Sequence, residues 1–169
     1  MARPKQGDFG SFYQKYIDKT RSETIKELIS NNSSILNHFV NNIPESKAEY
    51  AYAEGKWTVK DLLQHMIDTE RIMIYRALTI ARKDSVPLPG FDENEYAANA
   101  NTSTRILQSL KEEFVSVRKA TDHFLLSLSE EQLQQKGIAN GNQVNVNALA
   151  FIVYGHALHH KQILEERYL

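Results

Sequence analysis

The segment between residues 84 and 100, DSVPLPGFDENEYAANA, restricts the fold more than any other part of the chain. It separates two stretches with helical periodicity, and Pro87, Pro89 and Gly90 prevent either helix from continuing through it. These 17 residues can span roughly 55 Å, whereas antiparallel neighbouring helices need only a few connecting residues. The length therefore predicts that the helices before and after the segment run parallel.

Two helices are expected before this connection, because apolar residues recur there at three- and four-residue steps. The first covers residues 22 to 43 and should end before Pro44, since proline disfavours helical geometry in the residue preceding it. The second begins after Thr58, whose hydroxyl can cap a helix, and runs to about Arg82.

Two more helices are expected after the connection. The third covers Ser103 to Leu128, a short turn follows at Ser129, and Gly137 to Gln143 is predicted to be a loop. The fourth begins near Leu149 and extends close to the C-terminus. No segment shows sustained strand alternation. The pattern predicts an all-α four-helix bundle, up-down-down-up, with a long crossover between the second and third helices.

Composition argues against several classes of partner. The net charge of −1 and sequence pI of about 6.6 leave no basic excess to hold a phosphate backbone, so nucleic acid is not an expected ligand. The chain has no cysteine, so any metal must be held by histidine, aspartate or glutamate. No apolar stretch reaches the roughly 18 residues of a membrane span. No membrane partner is expected.

Residues 1–20 are predicted to be a partly ordered N-terminal extension, and residues 21–169 a single bundle domain of ordinary size. The extension lacks the apolar run of a signal peptide. A soluble cytoplasmic protein is therefore expected.

The stretch YGHALHHKQIL (residues 154 to 164) places histidines on the apolar side of the fourth helix. On a helical wheel, His156 and His160 lie within about 20° of the centre of the apolar stripe, and His159 lies at its border. The same geometry puts His38 and His123 on the outer faces of their helices. A buried neutral imidazole needs hydrogen-bond partners. Two of them on adjacent turns need an explanation.

A divalent metal is one explanation, because histidines four residues apart on a helix direct two ring nitrogens at one point. The alternative is a pair of core histidines satisfied by a carboxylate or by buried water, and the spacing alone leaves both open. His65, on the flank of the second helix, is the candidate third ligand. It is about two turns from the start of that helix, and His160 about two turns from the end of the fourth. These levels match only if the two helices are antiparallel, which up-down-down-up provides.

Three segments carry a resemblance to the DinB/YfiT-like superfamily of metal-binding four-helix bundles. They are GKWTVKDLLQHMIDTERIMIYRAL (55–78), PLPGFDENEYA (87–97) and GHALHHKQILEERYL (155–169). They resemble the signature segments of one DinB-like subgroup in the same order and at compatible separations, and the similarity extends over nearly the whole chain from about residue 20.

The resemblance implies an up-down-down-up bundle, often a homodimer, with a three-histidine site for zinc, nickel or another divalent ion. Matched residue by residue, the ligands of this family fall on His65, His156 and His160. Asp68 and Glu70 follow the first ligand closely, and either could orient an imidazole or accept a proton. The alternative for both is a solvated helix charge.

Four further residues are weaker candidates for the site. Trp57 and Tyr96 could line a cavity over the metal or act as packing plugs near loop ends. Asp92 and Glu93 could reach the site from the crossover, although capping and turn formation are expected of the sequence FDEN.

Three functions remain open from the sequence. The first is a hydrolase in which the metal activates water, and the second is a transferase in which it activates a low-molecular-weight thiol for attack on a small-molecule electrophile. The resemblance includes members linked to bacillithiol or mycothiol transfer and others assigned as metal-dependent hydrolases. The third is a non-catalytic, metal-binding stress-response bundle that binds a partner or small molecule.

Overall fold

Four long helices form the body of the computed structural model, which describes residues 1–169: α2 (Ile25–Asn41), α3 (Val59–Ala81), α5 (Leu107–Leu126) and α7 (Val146–Arg167). The remaining elements are short: α1 (Gln14–Ile17), α4 (Glu93–Asn99), α6 (Glu130–Gln134), and two strands, β1 (Lys136–Ala139) and β2 (Asn142–Asn145). The structure confirms the predicted four-helix bundle, and no helix is long and apolar enough to span a membrane.

The helix ends follow local capping chemistry. Thr58 caps α3 as predicted: its hydroxyl accepts a hydrogen bond from the amide of Asp61, whose carboxylate accepts one from the amide of Thr58. The third long helix starts later than the predicted Ser103, because residues 102–104 form a separate 3₁₀ turn and Arg105 is extended.

Side-chain pairs give the direction of each helix. α3 and α5 are parallel, since Gln64 near the start of α3 contacts Arg105 just before α5, and the later Glu70 contacts the later Arg118. α5 runs antiparallel to α2, because Lys111 near its start donates to the carbonyl oxygen of Ile43 just after the end of α2.

α7 runs antiparallel to α3. The hydroxyl of Tyr168, at the end of α7, donates to the carbonyl oxygen of Trp57, just before α3. With α3 and α5 parallel, this gives the predicted up-down-down-up order. It also places the start of α3 beside the second half of α7.

The crossover between α3 and α5 is more ordered than the predicted irregular connection. Asp92 caps α4 by accepting hydrogen bonds from the amides of Asn94 and Glu95, as expected for FDEN. Leu88 forms a parallel bridge to Ala139 of β1. The crossover is thus attached to the element that precedes α7.

The prediction of a loop at Gly137 to Gln143 is wrong. β1 and β2 pair as an antiparallel hairpin, and the turn residues Asn140 and Gly141 have φ values of 49° and 71°. Asn-Gly is the preferred pair for a two-residue hairpin turn because both residues tolerate positive φ. The strands were missed because four residues each are too few to show alternation.

The N-terminal segment packs onto α7. The Arg3 side chain donates to the carbonyl oxygens of Ile17, Thr20 and Ser22, which closes the segment on itself. The backbone of Tyr16 lies so close to Gly155 that a Cβ at that position would overlap the Tyr16 carbonyl group. This close approach places aromatic residues of the segment over the middle of α7.

Candidate metal centre

Three imidazole rings from two helices meet on the inner side of the bundle. Nε2 of His156 lies 3.1 Å from Nε2 of His65 and 3.0 Å from Nε2 of His160. The ligand nitrogens of all three rings lie within 4.8 Å of one another. The structure therefore brings together all three histidines named from the sequence.

The burial of α7 explains why two of these rings are inside the bundle. Every residue from Val146 to Ala157 is buried, so this part of the helix has no solvent-facing side. His156 and His160 are each 8% exposed. His65 is half-buried on α3, and Nδ1 of its ring lies 3.5 Å from the hydroxyl of Thr69 one turn later.

The three rings do not satisfy one another. A neutral imidazole nitrogen carries either one proton or one lone pair, so Nε2 of His156 can form a good hydrogen bond with only one of its two neighbours. Nδ1 of His160 is also buried without a partner. Neighbouring nitrogens on one tetrahedral ion would be roughly 3.3 Å apart at zinc-nitrogen bond lengths of about 2.0–2.1 Å. The separations of 3.0 and 3.1 Å from His156 are close to this spacing, as a shared cation requires, and the third pair, His65 and His160, lies within 4.8 Å.

Burial keeps the three rings in the form that binds metals. It lowers the pKa of His65 to about 4 and that of His160 to about 2, and it places the pKa of His156 well below the usual value. Neighbouring rings lower the pKa values of His156 and His160 further. All three are neutral at pH 7, with lone pairs available to a cation.

A cavity of about 330 Å³ opens beside the histidines, in the groove between α3 and α7. Its walls are largely aromatic: Phe12, Tyr13, Tyr16, Trp57 and Phe91. The histidines lie at one end, and Asn140 of the hairpin turn also lines the cavity. The size suits a small molecule.

The carboxylate in this cavity is Glu93, at the start of α4. Burial raises the pKa of Tyr16, and the charge of Glu93 raises it further; the same charge partly offsets the lowering of the His65 pKa by burial. Glu93 is therefore electrostatically coupled to the cavity wall and to one of the three histidines. Glu93 was a candidate from the sequence, but capping and turn formation were the expected roles of its segment.

Asp68 and Glu70 do not line this cavity. Asp68 accepts a hydrogen bond from Gln64 and faces the space beside α4. Glu70 is 3% exposed and forms a salt bridge of 2.5 Å with the fully buried Arg118. The structure thus gives both carboxylates partners outside the cavity, and Glu70, five residues after His65, lies on a different face of α3 from that histidine.

Most other sequence candidates have clear positions. Trp57 packs 4.8 Å from His65, measured between ring centroids, and lines the cavity. Tyr96 lies outside it, against Phe91. His159 is at the border of the buried face and packs against Tyr16.

Two outward predictions are confirmed, because His38 and His123 are exposed. Several cavity residues were not identified from the sequence, among them Tyr16, Thr69 and Arg76. Spacing from His65 could have revealed Thr69 and Arg76, which lie four and eleven residues further along the same face of α3. Nothing in the sequence ties Tyr16 to the site.

An up-down-down-up bundle with three converging histidines defines a class of metal-binding helical bundles. The sequence profile of the DinB superfamily matches residues 29–164. The chain belongs to the DinB superfamily.

Known proteins similar to this chain agree with that assignment. A protein of Oceanobacillus iheyensis named "Putative metal-dependent hydrolase OB0413" is 26% identical over 154 residues, covering 85% of this chain and 84% of the relative.

Two solved structures share the fold. YfiT of Bacillus subtilis, described as "a probable metal-dependent hydrolase with an unusual four-helix bundle topology", has a TM-score of 0.71 at 15% identity and covers 96% of this chain and 89% of its own. The DinB-like protein YjoA of Bacillus subtilis has a TM-score of 0.50 at 20% identity, covering 83% and 85%.

Proposed function

We propose that this protein is a metal-dependent hydrolase whose divalent ion is held by His65, His156 and His160. The observation that carries the proposal is the convergence of three neutral, mutually unsatisfied imidazoles at one end of a small-molecule-sized cavity. The name of the Oceanobacillus iheyensis relative supports the same class of reaction.

A divalent ion at this site would supply Lewis acidity, which lowers the pKa of a coordinated water or thiol and polarises a carbonyl group. Three imidazoles suit zinc and nickel, the two ions that the family resemblance implies. Three protein ligands are also the number found in catalytic zinc sites, which keep a position for water or substrate.

Glu93 is the residue that we assign to proton transfer. It is the one carboxylate that lines the cavity, it is exposed, and its charge acts on His65, so it is placed to accept a proton from a group bound beside the histidines. Asp68 and Glu70 are not assigned this role because they face other partners. The aromatic walls hold the apolar part of a substrate and limit access of bulk water.

A low-molecular-weight thiol could take the place of water in the same site. The chain offers no cysteine of its own, so a transferase reaction would require the thiol as a second substrate. The two reactions are distinguished by whether the rate depends on the thiol. A metal-binding bundle without catalytic activity is the remaining alternative.

The test is a reaction panel with the zinc- or nickel-loaded protein. Ester and amide substrates are offered without thiol, and electrophiles are offered with and without bacillithiol or mycothiol. We expect thiol-independent hydrolysis that falls at least about 100-fold in Glu93→Gln, a typical loss when a general base is removed. Asp68→Asn is the matched control and should retain the wild-type rate. Turnover that requires thiol would replace hydrolase by transferase, and no turnover with either would favour the binding alternative.

The family resemblance also implies a homodimer, and composition leads us to propose a cytoplasmic protein. Light scattering of the metal-loaded protein tests the first expectation, and fractionation of cells that express the chain tests the second.

A further inference from the structure

Arg76 is a buried cation without an acidic partner. Five charged side chains other than histidine are buried in the fold: Lys60, Glu70, Arg76, Lys111 and Arg118. The other four are compensated by an opposite charge or by carbonyl groups at a helix end: Lys60 with Glu49, Arg118 with Glu70, and Lys111 with the carbonyl oxygens of Asn41 and Ile43. Arg76 forms no salt bridge.

The hydrogen bonds of Arg76 leave much of its guanidinium group unused. Nη2 donates to the carbonyl oxygen of Pro89 at 2.7 Å, and Nη1 lies 3.5 Å from the sulfur of Met73. A guanidinium group has five N–H donors, so three remain. The centre of the Phe91 ring lies 5.9 Å from Cζ of Arg76, and no Arg76 nitrogen is buried without a partner, so the spare donors are open to one further polar group.

The position of Arg76 shows where that group can come from. The side chain is 3% exposed and lines the cavity that contains the three histidines. Its Cα lies roughly 16 Å beyond that of His65 along the α3 axis, because eleven residues separate them. Arg76 thus marks the far end of the cavity from the candidate metal centre.

We infer that the cavity binds substrates with an apolar, preferably aromatic body and a single carboxylate, and that Arg76 receives this carboxylate. The planar guanidinium fork matches a carboxylate, and the aromatic walls match the body. A single negative charge is favoured because Arg76 is the one arginine or lysine lining the cavity. Glu93, in the same cavity, opposes a more highly charged anion.

This inference rests on the proposed function in one respect. It takes the three-histidine end as the place of reaction and gives the substrate a carboxylate at the opposite end. Carboxylate binding itself requires Arg76 and the aromatic walls, so it can be measured without metal.

The experiment is calorimetric titration of the full-length, metal-free protein with benzoate, phenylacetate and 3-phenylpropionate, each paired with its neutral amide. We expect at least one acid to bind about tenfold or more tightly than its amide, as for a buried charge-assisted hydrogen bond. Arg76→Met should remove this preference while the amide still binds. Arg76→Lys should keep part of it, because the charge remains and the fork is lost.

Arg71→Met is the matched control, since Arg71 is on the same helix but is exposed and paired with Glu113. It should leave the acid-to-amide ratio unchanged. If Arg76→Met does not fold, the wild-type ratio and Arg76→Lys decide the question. Equal affinity for acid and amide, no binding of any acid, or an unchanged ratio in Arg76→Lys would overturn the inference.

Metal content of the same proteins, measured as purified and before the metal is removed for calorimetry, separates the two proposals. An acid preference in a protein that does not retain metal would leave the carboxylate site and remove the proposed function. Metal retention without an acid preference would leave the proposed function and remove the carboxylate site.

Discussion

Burial determines what a single carboxylate can do in this protein. Glu93 and Glu70 have the same side chain, but Glu93 is exposed at the cavity and Glu70 is sealed against Arg118. Burial raises the pKa of Glu70, and the Arg118 charge acts in the opposite direction. We interpret Glu70 as half of a structural ion pair between the parallel helices α3 and α5.

Removing one partner of this pair should cost more than removing both. Glu70→Leu leaves the Arg118 charge buried without compensation, and we expect a loss of about 3–5 kcal/mol in the free energy of unfolding. The double variant Glu70→Leu/Arg118→Met should be more stable than either single variant. Denaturant unfolding of the metal-free proteins measures this cycle. The exposed pair Lys161–Glu165 is the control, and Glu165→Gln should cost less than about 1 kcal/mol. Additive losses at positions 70 and 118 would contradict the assignment.

At the scale of elements, α7 is the helix on which the site depends. It carries two of the three histidines, packs against α2 and α3, and is crossed by the N-terminal segment at Gly155. The crossing brings the Tyr16 ring to 5.5 Å from that of His156, between centroids. The close approach at Gly155 therefore holds the N-terminal aromatic residues in place as part of the cavity wall.

Gly155→Ala should loosen that crossing. Alanine favours the helix by about 1 kcal/mol, but its methyl group overlaps the Tyr16 backbone, and overpacking typically costs about 1–3 kcal/mol. We expect faster hydrogen exchange at the amides of Asp18, Lys19 and Thr20, which close the turn of α1. Ala150→Gly, elsewhere on α7, should lower global stability without selectively changing these amides. Wild-type protection in Gly155→Ala would show that the segment does not depend on this contact.

The elements differ in how well the sequence predicts them. The four long helices were predictable because their apolar residues repeat with the helical period over many turns. The caps at Thr58 and Asp92 were predictable because capping depends only on neighbouring residues. The hairpin has only four residues in each strand, and Asn140-Gly141 was its one signal.

At the scale of the whole molecule, the order and direction of the helices bring the three histidines of the candidate site together. Up-down-down-up order sets the start of α3 against the second half of α7, so His65 reaches the level of His156 and His160. The three histidines were predictable, because the helical period gives the face on which each one lies and the number of residues to the helix end gives its height in the bundle. The rest of the cavity wall was not predictable, since the positions of Tyr16, Glu93 and the partners of Arg76 depend on how two irregular segments fold over the groove.

The buried histidines should make the metal-free protein sensitive to mild acid. An unfolded chain protonates these rings near pH 6.5, whereas burial lowers the pKa of His65 to about 4 and that of His160 to about 2. Below about pH 6.5 the unfolded state binds more protons, so the free energy of unfolding should decrease as the pH falls. Denaturant unfolding at several pH values between about 7 and 4.5 measures the slope.

His160→Gln should make this slope shallower, because one of the rings that takes up a proton on unfolding is gone. His38→Gln, at an exposed position, should leave it unchanged. The same slope in the wild type and His160→Gln would mean that the ring is not held neutral by the fold.

The central claim is that three imidazoles share one divalent ion, and metal analysis of purified protein tests it most directly. Wild type, His65→Ala, His156→Ala, His160→Ala and the control His159→Ala are purified identically and measured by inductively coupled plasma mass spectrometry. We predict about one ion per chain in wild type and the control, and at least about tenfold less in each of the other three. Equal metal content in all five proteins would contradict the account.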